Sequence, residues 1–269
     1  MICKRCGAKF SDGIFCPECG SRIVSVSVFG GEEQTNTWEN ALQYSDEDGY
    51  NTKMYGPQGQ LGELSITAPL EINAAGQRCF ENKKVILKDN IQVGDNAKLE
   101  FRNCEIITDK SIIIGANVNV IFEGCVIKTK ESRVLRWKKA GSEVKFLNCA
   151  FVGGKYKYLG AIGSSESVNV YFDNCFFNGV NIAELHYGVS EFRNCVIIND
   201  ENDNTAFITV GEYPTLIFEN CFIKSNRKLI RGIKSSSSSL MLKMHRSYNV
   251  DLRIRNSYID NYIHQGVSD

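Results

Sequence analysis

The sequence predicts an all-β fold, a right-handed parallel β-helix solenoid that follows a small cysteine-rich module at the N-terminus. Three observations predict it. Seven segments between residues 99 and 260 are variants of one nine-residue pattern, exemplified by LEFRNCEII at 99–107. Each variant alternates apolar and polar residues and changes phase near its centre. A separate set of four cysteines lies within the first 20 residues.

Composition fits a globular chain and gives no long-range attraction to charged partners. The chain has 269 residues, 43% of them hydrophobic, which suits one large domain or two smaller ones. Lys plus Arg and Asp plus Glu both number 31, so the formal net charge is zero. The N-terminal MICKRC lacks a basic segment leading into an apolar run, and no stretch approaches the roughly 20 apolar residues of a membrane helix. We therefore expect a cytoplasmic protein without a membrane partner.

The first cysteine set predicts a metal site. In CKRCGAKFSDGIFCPECG two Cys-x-x-Cys pairs stand nine residues apart, and a glycine that tolerates positive φ follows each pair. Four thiolates on two tight turns match the tetrahedral coordination of zinc, and four protein ligands make the site closed and structural. Two disulfides or a redox pair would fit a secretion signal or a βαβ pattern, which the sequence lacks. We expect one structural Zn²⁺ bound by Cys3, Cys6, Cys16 and Cys19.

Residues 1–23 also resemble the short N-terminal zinc ribbons of many bacterial and archaeal proteins, whose second knuckle often reads FCPECG, as residues 15–20 do here. The resemblance implies an appendage that binds proteins or nucleic acid. The basic residues Lys4, Arg5, Lys9 and Arg22 suit an acidic partner, and a solvated basic surface explains them as well.

The second cysteine set marks the repeats. Counting from Cys104, the residues three and five positions earlier are Phe101 and Leu99, and the residue two positions later is Ile106. Each half of a repeat therefore has the period of two of a strand with one buried face, but the halves are out of phase by one residue. The cysteines recur every 20 to 26 residues, with Ser257 in the last slot, at Cys104, Cys125, Cys149, Cys175, Cys195 and Cys221.

The change of phase predicts a corner between two strands, because it falls on a residue type that tolerates a left-handed backbone. This residue is Gly124 in one repeat and asparagine in the others. The asparagines are Asn103, Asn148, Asn174, Asn194, Asn220 and Asn256.

A further short strand precedes each repeat, as in SIIIG at 111–115. Three strands and three turns describe one rung of a right-handed parallel β-helix, in which stacked rungs close each other's ladders and core. We expect the corner asparagines to form an internal ladder and the cysteines a buried column. Adjacent rungs about 4.8 Å apart allow disulfides, but a reducing compartment favours thiols. Leucine-rich repeats would need a Leu-x-x-Leu-x-Leu signature and a helix, which are missing.

The predicted organisation has three parts: the zinc ribbon at 1–23, a linker and β-helix cap at 24–63, and the β-helix at 64–269. NTWENALQY within the linker is a candidate capping helix for the open end of the solenoid. Residues 64–98 are predicted as initial rungs with weak repeat character.

The repeats resemble the pectate-lyase-like superfamily of right-handed parallel β-helices, and the resemblance implies a polysaccharide-cleaving enzyme. Two columns test this. The outward residues two before each cysteine alternate in sign, which fits register-fixing ion pairs: Arg102, Glu123, Leu147, Asp173, Arg193, Glu219 and Arg255. The preceding strand, where such enzymes place their chemistry, offers Gln92, Ile113, Ala161 and Thr209, none of them an acid, base or metal ligand. The titratable residues nearby are Glu184 and His186.

The sequence therefore favours a non-catalytic intracellular binding or scaffold protein whose partner is an unknown protein or glycan. A polysaccharide lyase or hydrolase is the first alternative. Nucleic-acid binding through the ribbon and a basic turn face is the second. The residues of that face are Lys128, Lys130, Lys138, Lys139, Lys155, Lys157, Lys224, Arg227 and Lys228, near Tyr156 and Tyr158.

Overall fold

The computed structural model describes most of the repeat region. The described residues are 55–129, 134–152, 158–161, 167–178, 181–199, 208–225, 230–232 and 251–260. The predicted zinc ligands and the candidate capping helix lie outside these ranges.

The described residues form strands and contain no helix. The first rungs comprise β1 (Gly62–Ile66), β2 (Leu70–Ile72), β3 (Gln77–Glu81), β4 (Lys83–Leu87), β5 (Ile91–Val93), β6 (Lys98–Arg102), β7 (Glu105–Thr108), β8 (Ile112–Ile114), β9 (Asn119–Glu123) and β10 (Val126–Thr129). The middle rungs comprise β11 (Leu135–Trp137), β12 (Ser142–Leu147), β13 (Ala150–Val152), β14 (Tyr158–Ala161), β15 (Val168–Asp173) and β16 (Phe176–Asn178). The last rungs comprise β17 (Asn181–Arg193), β18 (Val196–Asn199), β19 (Ile208–Glu219), β20 (Phe222–Ser225), β21 (Ile230–Gly232), β22 (Asp251–Arg255) and β23 (Tyr258–Asp260).

Strands of successive repeats pair in parallel. The strands that follow the corners form a nine-stranded sheet, in the order β1-β4-β7-β10-β13-β16-β18-β20-β23. The strands before the corners pair as β3-β6-β9-β12-β15-β17, and the short preceding strands pair as β2-β5-β8-β11-β14-β17. The last two series join in the 13-residue β17, which serves as a strand of both. The all-β, parallel architecture is confirmed, and it is compatible with a β-helix-like solenoid.

Register between rungs follows the repeat, so equivalent residues stack. Phe101 of β6 pairs with Phe122 of β9, which pairs with Phe146 of β12. Successive rings lie parallel with centroids 4.7 to 5.0 Å apart, a spacing set by the distance between neighbouring strands. The stack comprises Phe80, Phe101, Phe122, Phe146, Phe172, Phe192 and Phe218.

The core lies between the sheets and contains the residues that the repeat predicts. Leu99, Phe101, Cys104 and Ile106 are all buried, which confirms the inward phase on both sides of the corner. Each cysteine thiol lies 3.1 to 3.4 Å from the carbonyl oxygen two residues earlier and 3.3 to 3.6 Å from a phenylalanine carbonyl oxygen of a neighbouring rung. The six cysteines are free thiols and form the predicted column.

The corners have the predicted left-handed backbone. The six corner asparagines have φ between 47° and 56°, and Gly124 has φ 58°. Their side chains form hydrogen-bonded steps along the stack, as where Asn174 Nδ2 donates to Asn148 Oδ1 at 2.7 Å. The expected internal position is wrong, however, because Asn148 and Asn194 are exposed. A corner turns its side chain away from the core, so the ladder runs along the outside of the bend.

The initial rungs are more regular than the sequence indicated. Asn82 has φ 53° and accepts a hydrogen bond from Asn103 Nδ2 at 2.6 Å, so it begins the asparagine ladder. β3 pairs with β6 through Phe80 and Phe101. RCFENKKVI at 78–86 is therefore a further repeat in which Lys83 occupies the cysteine slot. Because the repeat pattern was defined by its cysteine, this substitution prevented the repeat at 78–86 from being recognised.

Candidate ligand-binding groove

A polar groove of about 340 Å³ lies on the outer face of the short strands β2, β5 and β8. Its floor is the outward residue of each strand, and register stacks Glu71 on Gln92 and Gln92 on Ile113. These strands are only three residues long with a central residue that faces outward, as Gln92 does between buried Ile91 and Val93. The floor therefore presents one carboxylate, one amide and one aliphatic side chain in line.

Turns at the ends of the strands build one wall of the groove. Asp95 follows β5, and its Oδ1 accepts a hydrogen bond from the backbone amide of Ala116 one rung away at 2.9 Å. Gly115 makes room for that carboxylate, because a Cβ there would lie 2.5 Å from Asp95 Oδ1 and 2.9 Å from the Val93 carbonyl oxygen. The turn sequence thus places Asp95 at the rim.

A lysine from the turn after β11 completes the wall. Lys139 Nζ lies 2.6 Å from Asp95 Oδ2, and Lys138 also lines the groove. The hydrogen bond from Lys139 and then that from the Ala116 amide hold the pKa of the Asp95 carboxyl below its ordinary value. Asp95 is therefore ionised at neutral pH and is a poor proton donor.

The sequence interpretation found part of this groove. Gln92 and Ile113 were expected to face outward from the short strand that precedes each repeat, and both line the groove. Glu71 and Asp95 were missed. Glu71 occupies the same register column as Gln92 and Ile113, so extending that column by one rung toward the N-terminus would have found it.

The expected pair Glu184 and His186 lies on β17, outside the groove residues. Register places Glu184 beside Ala161 and Thr209, and the pairing of β17 with β19 shifts between Leu185 and Tyr187. The backbone therefore continues the short-strand column through Glu184, while His186 falls at the irregularity.

The charged column before the corners has the predicted register, and its arginine also pairs within its own strand. Arg102 stands beside Glu123, and Arg193 stands between Asp173 and Glu219. The shortest contact of Arg193 is nevertheless with Glu191 of its own strand at 2.6 Å, against 3.5 Å to Glu219 on the next. Residues two apart on a strand share a face, so an arginine reaches back along its own strand.

The basic turn face is partly neutralised. Lys128 Nζ lies 3.0 Å from Glu105 Oε1, and Lys139 is paired with Asp95. Lys138 and Lys224 are exposed. The other lysines and the arginine of that predicted face lie outside the described ranges.

The described part of the chain shows neither a metal-binding cluster nor a membrane-spanning helix. No group of three or more His, Cys, Asp or Glu residues there is arranged to hold a metal ion. The same residues contain no helix long and apolar enough to cross a bilayer. Zinc binding by the N-terminal cysteines remains a prediction.

Comparison of the chain with family models, with curated proteins and with solved structures found no match.

Proposed function

We propose that this protein is a right-handed parallel β-helix that binds a glycan in the polar groove without cleaving it, and that its N-terminal ribbon carries one structural zinc. The observation that carries the proposal is the Asp95–Lys139 pair at 2.6 Å on the groove rim. The ion pair keeps Asp95 from acting as an acid or base. Glu71 is then the one remaining carboxylate among the groove residues.

Glycan chemistry suits the groove lining. Sugars offer hydroxyl groups that both donate and accept, together with apolar ring faces. The amide of Gln92 donates and accepts, the carboxylate of Glu71 on one side accepts, and Ile113 on the other side presents an aliphatic surface. Parallel stacking sets these three side chains about 4.8 Å apart along the stack, so an extended ligand that follows the rungs contacts each in turn.

Cleavage of a glycosidic bond needs two carboxyl groups that flank the bond, one of them protonated when it acts as an acid. Asp95 is held ionised by its lysine and by the Ala116 amide. Nucleic-acid binding is disfavoured because two lysines of the basic face are paired with Glu105 and Asp95.

A binding screen tests the proposal. The purified full chain is titrated with neutral and acidic oligosaccharides and with polynucleotides, each at low and high salt. We expect glycan binding that barely responds to salt, and weaker binding of at least about tenfold for Gln92→Ala. Lys145→Ala is the matched control, since Lys145 lies outside the groove lining and is paired with Glu143; its affinity should equal that of the wild type.

The enzyme alternative has its own readout. The same oligosaccharides are incubated with the protein, with and without calcium, and assayed for new reducing or unsaturated ends. We expect none. Release of such ends that is lost in both Glu71→Gln and Asp95→Asn would establish catalysis in the groove and refute the binding-only function.

A further inference from the structure

A second apolar cluster lies on the outer side of the nine-stranded sheet. It is built from the residue directly after each cysteine from Cys125 to Cys221, a position that faces away from the core. We call this column the outer stripe. Its members are nearly as buried as the core itself, and they are Val126, Ala150, Phe176, Val196 and Phe222. Ile198 and Tyr55 belong to the same cluster, and the partly buried Val152 and Tyr258 pack against it.

The first described residues of the chain cover part of this stripe. We call residues 55–58 the strap. The backbone amide of Gln58 donates to Asn103 Oδ1 at 2.5 Å, and Asn103 Nδ2 donates back to the Gln58 carbonyl oxygen at 2.8 Å. The amide of Gly56 donates to the Asn148 carbonyl oxygen at 3.2 Å. The ring of Tyr55 lies 5.5 Å from that of Phe176.

These contacts give the strap a direction. Gln58 lies on the rung of Asn103, Gly56 two rungs further on beside Asn148, and Tyr55 on the rung of Phe176. Between them, Gly124 replaces the corner asparagine, and a Cβ there would lie 3.8 Å from the Gly56 carbonyl oxygen. The chain therefore runs against the order of the rungs, so residues before Tyr55 are directed toward the last rungs.

The outer stripe stays shielded from solvent beyond Tyr55, where the strap ends. Val196 and Phe222 lie one and two rungs past Phe176, yet their exposed fractions are only 5% and 4%. Phe222 stacks on Tyr258 of the last rung at 5.3 Å. Outward-facing apolar side chains on a sheet surface stay dry when another segment covers them.

We propose that residues 50–54 continue the strap over Val196 and Phe222 toward Tyr258, so that the cysteine-rich N-terminal module is held near the last rung of the solenoid. Three rungs separate Phe176 from Tyr258, about 14 Å at the spacing of neighbouring strands, and five extended residues span about 16 Å. The segment YNTKM carries Tyr50 and Met54 as apolar side chains for the stripe.

The charges near the far end of the stripe also favour residues 50–54 as the segment that covers it. Lys224 and Arg255 are exposed on the last rungs, near the far end of the stripe. Residues 46–48, separated from the segment by Gly49, read Asp-Glu-Asp. An acidic run beside exposed basic residues is electrostatically favoured.

Hydrogen–deuterium exchange of the full chain, read by mass spectrometry, tests the proposal. We expect peptides that cover residues 50–54 to exchange at least tenfold more slowly than the intrinsic rate. Phe222→Ser should abolish this protection. Lys145→Ser changes a residue of β12 that is paired with Glu143 and lies outside the outer stripe, and it should leave the protection unchanged.

Tyr50→Ser separates loss of docking from loss of folding. It lies in the segment itself, so we expect it to release residues 50–54 while amides of β12 and β15 stay protected. Intrinsic-rate exchange of 50–54 in the wild type, or protection that survives both Phe222→Ser and Tyr50→Ser, overturns the proposal. Protection that disappears on dilution together with a dimer in light scattering also overturns it, because the stripe is then covered by a second copy.

Discussion

Corner asparagine combines a backbone role with a ladder role. Its backbone is left-handed, which costs about 1–2 kcal/mol for an ordinary L-residue and less for asparagine. Its side-chain amide also bonds to the next rung, as in the 2.7 Å contact between Asn174 and Asn148. The residue therefore fits the corner for local and for inter-rung reasons.

Asn174→Val is expected to lower the free energy of unfolding by about 2 to 4 kcal/mol, because it places a β-branched side chain at φ 50° and removes the ladder bond. The neighbouring Asp173→Asn keeps an oxygen that accepts the bond from Asn194 Nδ2, so it should cost under about 1 kcal/mol. Urea unfolding of both variants measures the difference. Equal losses would contradict the assignment of the corner.

Thiol reactivity divides the described cysteines into two groups. Burial raises the pKa of Cys175, Cys195 and Cys221, whereas Cys79 is exposed. We expect iodoacetamide to alkylate Cys79 in the native protein and the column cysteines only after denaturation. Desolvation and then the Glu100 carboxylate raise the pKa of Cys79, so its alkylation rate should keep rising with pH beyond the pKa of a free cysteine. Peptide mapping reads both results, and native labelling of Cys175 would contradict the buried column.

At the scale of elements, the turn after β5 is shaped by its neighbours in the stack. Gly115 leaves the space that the Asp95 carboxylate occupies, and Lys139 arrives from the turn two rungs on. Three separate repeats therefore contribute to one rim.

Lys139→Met should raise the pKa of Asp95 toward the ordinary aspartate value, because it removes the hydrogen bond that contributes most to the shift. A depressed carboxyl pKa stabilises the fold above the unfolded-state pKa, and this contribution is lost as pH falls through the folded-state value. The mutant should therefore lose less stability on acidification than the wild type. Carboxyl NMR titration measures the pKa, with Lys138→Met as the control expected to leave it unchanged.

At the scale of the whole molecule, the repeats bury a continuous core, and the four N-terminal cysteines are separate from it in sequence. A closed zinc site folds its own short segment around the metal. The repeats rely instead on stacked phenylalanines and parallel ladders, which need no metal.

Cys3→Ser should therefore remove zinc while the β-sheet circular dichroism signal is kept. The wild-type chain, prepared without chelator, is expected to contain one zinc per chain by elemental analysis, and Cys79→Ser should retain it. Less than half an equivalent in the wild type would refute the zinc site. Collapse of the β signal in Cys3→Ser would show that the ribbon and the repeats fold as one unit.

Much of the fold could be predicted because its rules are local. The alternation around Cys104 and the asparagine at the corner each act within a few residues, so parallel register, inward phase and left-handed corners could be predicted. Residues 78–86 escaped because Lys83 stands where the pattern expected cysteine. Gln92 and Ile113 were correctly expected on the outer face, whereas Asp95 was missed because its partner Lys139 is 44 residues away.

The sequence by itself determined the repeat, its phase and its stacking, because a period of two and a corner residue specify one strand and its neighbour. Tertiary structure alone decided what lies over the outside of the stack. The residues after the cysteines are apolar in most repeats, as Val126 and Phe176 are, and this signal was readable. The contact of Tyr55 with Phe176 could not be predicted from the sequence. A segment that crosses several rungs contacts residues far away in sequence, and its path depends on the assembled surface.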